Sequence, residues 1–422
     1  MQITSKQTWL SLLMPAIAAL TLSSALPARG APQFSAGQQP EVRKTAFEFS
    51  MHQQLEGKVM GYSFVLMKDG KLISEGAGGA ARNAADGFKA MTPRTPQNLG
   101  SLFKFISGVS LLHILERPPA GSAGGQNSFD ARLNAPVALL YPQVWNAAMS
   151  SPRMRALTFR HLLQHKSGYR GCSGDDVLGC LSGAYNPRLI GSRAYENINF
   201  ALAGYLIGIY TKPSLLTAAN GAPATTSVRD RSLFFQKVAG ATMNTFIRQK
   251  VFPKVPGNIS ASCDATNEYK ANAAYTYISK NDTGKGIITS RFRDDVKACV
   301  GSGGYWMSVH DFAAFAATAL HSEKLISVRT RRLMYNEQMD PDDRLVWSFS
   351  TSDSTIKSRF AMDPIIYSGG DQPYATGQGA HTAIVRLPLG HEVLVFANSD
   401  ELPSSTLATI GIKAFKAGMT AN

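Results

Sequence analysis

A serine and a lysine stand three residues apart in Gly100-Ser101-Leu102-Phe103-Lys104, directly ahead of an apolar run through Phe105, Ile106 and Val109. A helix that begins near Ser101 turns both side chains to one face. Its unpaired N–H groups and positive dipole end suit an oxyanion forming on a carbonyl attacked there. A lysine buried beside such a serine gives up its charge more easily and can take the hydroxyl proton. The chemistry is acyl transfer through a serine ester. Alone the S-x-x-K spacing says little, because a serine at a helix start followed by a surface lysine is common.

A second group is Tyr195-Glu196-Asn197, which opens another apolar stretch holding Phe200, Leu202, Ala203, Tyr205 and Leu206. A tyrosine among positive neighbours can act as a phenolate base or as the acid for a leaving group. The plainer alternative is a core tyrosine beside a capping asparagine.

Taken together and in order, these segments resemble the class C β-lactamase and penicillin-binding-protein family, including its esterase relatives. Ser101 and Lys104 match the family's S-x-x-K, and Tyr195 and Asn197 match its Y-x-N. The piece from Thr158 to Gly168 is similar to its structural LLxHxSG segment. Gly303-Gly304-Tyr305-Trp306-Met307-Ser308 with Asp311-Phe312 resembles its GG…S…D helix entry, and Pro388 to Asn398 its last hairpin. Tyrosine in the second motif points to the class C-like branch rather than the S-D-N branch. The resemblance implies a serine hydrolase that works through an acyl-enzyme, with Ser101, Lys104 and Tyr195 catalytic and Asn197 on the substrate side.

The third motif departs from the family, which carries Lys-Thr-Gly or His-x-Gly on an edge strand facing the nucleophile. The best counterpart is Tyr367-Ser368-Gly369, with Ala375-Thr376-Gly377 as the second choice, and neither begins with a cation. On the first choice, Tyr367, Ser368 and Gly369 line the substrate, and the Gly370 N–H joins that of Ser101 as an oxyanion donor. His381 falls on the following strand and reads as structural. His161 and His165, four apart on one expected helix, have no acidic third ligand and read the same way. No metal and no cofactor is expected.

The elements that must hold these residues are strands at both ends and helices between. Tyr62 to Leu66 alternates, Asp69-Gly70 signals a hairpin, and Lys71 to Ser74 resumes the strand. Thr382–Leu387 and Val393–Ala397 flank a second turn, and a helix from Ser404 to Lys416 closes the chain. Helical spacing runs through Phe103–Leu115, Thr158–Gln164 and Asn197–Tyr210, with loops expected at Pro118–Ser128 and Thr211–Ser227. The fold class is α/β (α+β) and β-lactamase-like. An antiparallel sheet is built from the N- and C-terminal segments, about 55–100 and 290–420, with flanking helices. A mainly helical middle subdomain covers about 101–290.

The 422 residues are 44% hydrophobic and 17% charged, a globular composition. Residues 1–30 read as a signal peptide, with Lys6, an apolar run from Trp9 to Leu26, and cleavage before Ala31; the rest, 31–420, is one domain. Export to a bacterial periplasm or the medium follows, and four cysteines (Cys172, Cys180, Cys263 and Cys299) then suggest two disulfides. Three pairings are open, among them Cys172 with Cys180 and Cys263 with Cys299. The net charge of +14 has a local concentration at Arg153, Arg155, Arg160, Lys166 and Arg170. It suits a soluble basic surface or attraction to anionic cell-envelope polymers. No nucleic-acid motif and no membrane-spanning segment after the leader is present. The expected substrate is a small molecule or peptide bearing an ester, amide or peptide-like bond. A β-lactamase or DD-peptidase acting on β-lactams or stem peptides is one alternative. A catalytically inactive envelope binding protein is the other.

Overall fold

In the computed structural model the described residues are 41–119, 128–174, 176–221, 226–263, 271–288, 300–335 and 339–419. The expected leader, most of the Pro118–Ser128 loop, and Cys299 lie outside them. β1 (Gly61–Lys68) and β2 (Lys71–Arg82) form the first hairpin, followed by short β3 (Lys89–Ala90) and β4 (Gln97–Asn98). Asp69 and Gly70 at its tip both have positive φ, 51° and 74°, the twist a two-residue hairpin turn needs. β5 (Ala261–Ser262) and β6 (Trp306–Met307) pair with β4 in a small sheet. The last strands are β7 (Phe349–Thr351), β8 (Ile365–Pro373), β9 (Gly379–Leu387) and β10 (His391–Ala397).

The two ends of the chain meet in one antiparallel sheet, ordered β3-β2-β1-β10-β9-β8-β7. Its central strands are buried on both faces, and their residues alternate between two cores. Phe64, Leu66, Ile365, Tyr367, Val393 and Val395 pack with the Lys44–Leu55 and Ser404–Gly418 helices. Val65, Met67, Ile366, Ile384, Leu394 and Phe396 face the larger core of the helical middle. The expected architecture is the observed one.

Two helices at the centre of that middle, Phe103–Glu116 and Asn197–Thr211, are apolar nearly all round and correspondingly buried. Two local expectations are corrected. Thr211–Ser227 is not all loop, because Ser214–Asn220 is helical and buries Leu215 and Ala219, four apart on one side. The helix expected to hold both His161 and His165 ends at Leu163, and His165 takes a left-handed conformation, φ 56°. Its ring thereby turns inward, away from the face His161 occupies.

Candidate active site

β4 delivers the chain to Ser101 through a tight turn. The Asn98 side chain accepts from Gly100 N at 2.8 Å, Leu99 N donates to Tyr305 O, and the Thr382 hydroxyl donates to Leu99 O at 2.8 Å. Gly100 has φ 53°, and a Cβ there would sit 3.0 Å from the carbonyl carbon of Gly370. The facing residue is equally constrained, since a Cβ on Gly370 would press on Leu99 O and lie 2.7 Å from Leu102 N. Glycine on both sides lets β8 touch the backbone beside the nucleophile. Ser101 itself lies in the 3-10 turn Gly100–Leu102 that leads into the Phe103–Glu116 helix.

Lys104 is 1% exposed. Its Nζ lies 2.8 Å from Ser101 Oγ, and donates to Asn197 Oδ1 at 2.8 Å and to Ser302 O at 2.6 Å. Burial holds the amine well below the usual lysine range, and no carboxylate among the described residues bonds to it to offset this.

Tyr195 stands two residues ahead of the Asn197–Thr211 helix and is hydrogen-bonded to the Ser101 hydroxyl. Burial raises its phenol above the ordinary tyrosine range, against the pull of Ser101 and Arg193. The ring is held on two sides. His165 lies 4.6 Å from it, and Phe349 stacks on it at 5.2 Å with 24° between planes. Tyr367 stacks on the other side of the column, 5.2 Å from Phe349, so it reaches the centre through Phe349. His165 Nδ1 accepts from Glu196 N at 3.2 Å, and burial holds the ring well below the usual histidine range. A neutral ring with its proton on Nε2 follows.

The two counterparts of the third motif lie on different elements. Ala375-Thr376-Gly377 lies in the turn between β8 and β9, closed by bonds between Tyr374 and Gln378 and from Gly377 N to Tyr374 O. Tyr367-Ser368-Gly369-Gly370 lies on β8, and β7 pairs with it only as far as Tyr367. Past that point the edge turned toward Ser101 carries no strand among the described residues. The faces alternate: Ser368 and Gly370 lie on the side of the nucleophile, while Tyr367 and Gly369 face the Ser404–Gly418 helix. Ser368 Oγ accepts from Ser348 N at 3.3 Å, and the Thr382 hydroxyl lies 3.5 Å from Gly370 O.

The charged groups near this strand are tied up. His381 is clasped between Asp371 (Nδ1 to Oδ1, 2.6 Å) and Asp400 (Nε2 to Oδ1, 3.1 Å). Asp371 also accepts from Ser404 N and Oγ, both at 2.7 Å. Against the effect of its partial burial, the bonds from His381 and Ser404 hold this carboxyl below the usual range. Arg386 bonds Glu392 at 2.9 Å and covers the Tyr335 ring. The Arg193 guanidinium donates to the carbonyls of Gln164, Trp347 and Ser348.

The structure thus brings together Ser101, Lys104, Tyr195 and Asn197, and sets Gly370 against their backbone. Sequence reasoning missed Ser302, Phe349 and Arg193. The glycines around Ser302 signalled a close backbone approach, but a backbone carbonyl has no residue-type signature. Phe349 and Arg193 carried no signal.

The family model described as Beta-lactamase matches residues 42–220. The fold is similar to that of a β-lactamase from Sulfitobacter sp. EE-36, with TM-score 0.59, 18% identity, and coverage of 88% of this chain and 96% of that one. A class C β-lactamase from Rhodobacter sphaeroides gives TM-score 0.57 at 17% identity, covering 88% and 99%. The D-alanine carboxypeptidase AmpC from Burkholderia cenocepacia gives 0.56 at 14% identity, again covering 88% and 99%. No curated protein matches the chain. Residues 42–220 are thus similar to the Beta-lactamase family, and the fold is the one seen in β-lactamases, a penicillin-binding-protein homologue and D-alanine carboxypeptidases.

Proposed function

We propose that the protein is an exported serine hydrolase that cleaves esters through an acyl-enzyme on Ser101. The observation that carries this reading is the surroundings of Lys104 Nζ. Two of its three neighbours, Asn197 Oδ1 and Ser302 O, are carbonyl oxygens that can only accept. A neutral amine has two N–H groups, and these two acceptors use both. Its lone pair then points at Ser101 Oγ, and burial supplies the neutral form.

The steps follow from that arrangement. Lys104 takes the Ser101 proton as Oγ attacks the ester carbonyl. The N–H of Ser101 holds the oxyanion together with that of Asp371, which turns to the open edge of β8, whereas the Gly370 N–H faces Thr382 in the ladder with β9. Tyr195, kept as a neutral phenol by burial, donates its proton to the departing alkoxide and recovers one from Lys104 by way of the Ser101 site. Water then enters, gives a proton back through the same groups, and releases the acid. Asn197 fixes the Lys104 amine and borders the acyl group.

Ester preference rests on where the positive charge is. β-Lactams and the ends of stem peptides carry a carboxylate near the scissile carbonyl. On the side of the nucleophile the third-motif segment offers Ser368 and Gly370, neither of them a cation, while Tyr367 is turned to the opposite face, and His381 and Arg386 are already bound to carboxylates. A charge-assisted bond contributes about 1.5–3 kcal/mol, roughly ten- to a hundredfold in rate. Export is supported by the leader-like N-terminal sequence and by the Cys172–Cys180 disulfide. Among the described residues no helix is long and apolar enough to cross a membrane.

The test compares kcat/KM for p-nitrophenyl butyrate and for nitrocefin, which carries the carboxylate. The ester is expected to lead by tenfold or more. Nitrocefin turnover equal to or above the ester's would overturn the preference.

A further inference from the structure

We propose that Glu196 is a positioning residue, which ties the Cys172–Cys180 loop to the segment carrying Tyr195 and Asn197 and thereby sets where the Tyr195 phenol stands. The proposal rests on the hydrolase reading of that site and adds what holds it in place. Glu196 occupies the N-cap of the Asn197–Thr211 helix, yet its side chain makes no capping bond there. Its carboxylate reaches outward instead. Oε1 accepts from Gly171 N at 2.8 Å and Oε2 from Cys172 N at 3.0 Å.

The loop returns the contact. Ile198 N donates to Cys172 O at 3.3 Å, so Cys172 is bonded on both sides of Asn197. Gly174, at φ 86°, lies so near that a Cβ there would be 2.7 Å from Ala201 Cβ. The disulfide fixes the other end of the loop, closing it onto the helix Val177–Ser182, with both cysteines 5% exposed. Two backbone N–H groups on one carboxylate make a charge-assisted pair, stronger than neutral bonds. The inner side of the same segment is held by His165, whose ring accepts from Glu196 N and whose carbonyl accepts from Ala194 N. Tyr195 is therefore fixed from within by rings and from without by the cross-linked loop.

A capping or purely structural role would lower stability and leave turnover alone. A positioning role moves the phenol. The variants are Glu196→Ala, Glu196→Gln and the pair Cys172→Ser/Cys180→Ser, each checked for folding by thermal melting. The direct readout is the NMR signal of Tyr195 in protein carrying ring-13C tyrosine, identified by its loss in Tyr195→Phe. We expect that signal to shift in Glu196→Ala and in the serine pair. For p-nitrophenyl butyrate, kcat should fall about 10–100-fold, the range a misplacement of about 1 Å produces, with KM little changed. Glu196→Gln, whose amide oxygen still accepts one N–H, should keep part of the rate. Combining Glu196→Ala with the serine pair should cost no more than the worse of the two, since both cut one connection. An unmoved Tyr195 signal in folded Glu196→Ala overturns the proposal, as do additive losses. A wild type that neither hydrolyses esters nor reacts at Ser101 defeats the hydrolase reading instead, and the Tyr195 signal then still decides this one.

Discussion

The Lys104 amine stands 5.0 Å from the centre of the Tyr195 ring, on its face. The two side chains proposed to move protons thus lie against each other beside Ser101. An aromatic face favours the charged amine by about 0.5–2 kcal/mol, but burial outweighs it, and the amine's pKa stays well below the usual range. A neutral base beside a neutral phenol is the state ready for substrate.

A pH dependence follows for both rate and stability. As pH falls through the lowered value, Lys104 takes a proton and kcat/KM for esters should drop. In stability, the unfolded chain holds the lysine proton up to about pH 10.4, while the folded protein has already lost it. The unfolded state therefore binds more protons in that window, and folding gains as pH rises. Compared with Lys104→Met, wild type should gain melting temperature as pH rises from the lowered value of the folded amine toward about pH 10. A constant difference across that range would contradict the lowered amine.

Tyr195→Phe removes the phenol oxygen and keeps the ring in its column between His165 and Phe349. Turnover should fall about 10²–10⁴-fold, as for loss of a placed acid or base, with melting temperature nearly unchanged. Full activity in this variant rules out the assigned role.

Phe349→Ala takes out the ring that joins Tyr195 to Tyr367. The phenol should lose its fixed place, and kcat should fall about tenfold or more. Phe349→Leu, which keeps bulk without a flat face, should recover part of it. Equal kcat in all three proteins means that Tyr195 is placed without the column.

The fold was legible where a period or a turn residue reports it. Asp69-Gly70 marked its hairpin, alternation marked β1, the turn at Pro388 to His391 marked β9 and β10 on either side, and the spacing from Ser101 to Lys104 placed both at the entry to a buried helix. The contacts that finish the site join residues far apart in sequence through groups without residue-type signals. Ser302 acts by its carbonyl, and Phe349 faces Tyr195 only because β7 pairs with β8. The left-handed turn at His165 was hidden inside an apolar stretch that read as helix. The short helix Ser214–Asn220 was hidden by flanking Thr, Pro and Gly.

The cysteines make a separate check. Cys172 and Cys180 are bonded, and no cysteine among the described residues is free. The folded chain should take up no iodoacetamide until it is reduced. Labelling of Cys172 or Cys180 in the unreduced native protein would contradict the bond.

The central claim is that Ser101 forms a covalent acyl-enzyme. Its most direct test is a fluorophosphonate probe on the folded protein, with the modified peptide located by mass spectrometry. One adduct on Ser101 is expected, together with loss of ester hydrolysis and no adduct in Ser101→Ala. An adduct on another serine with Ser101 unmodified, or ester hydrolysis undiminished in Ser101→Ala, would contradict the account.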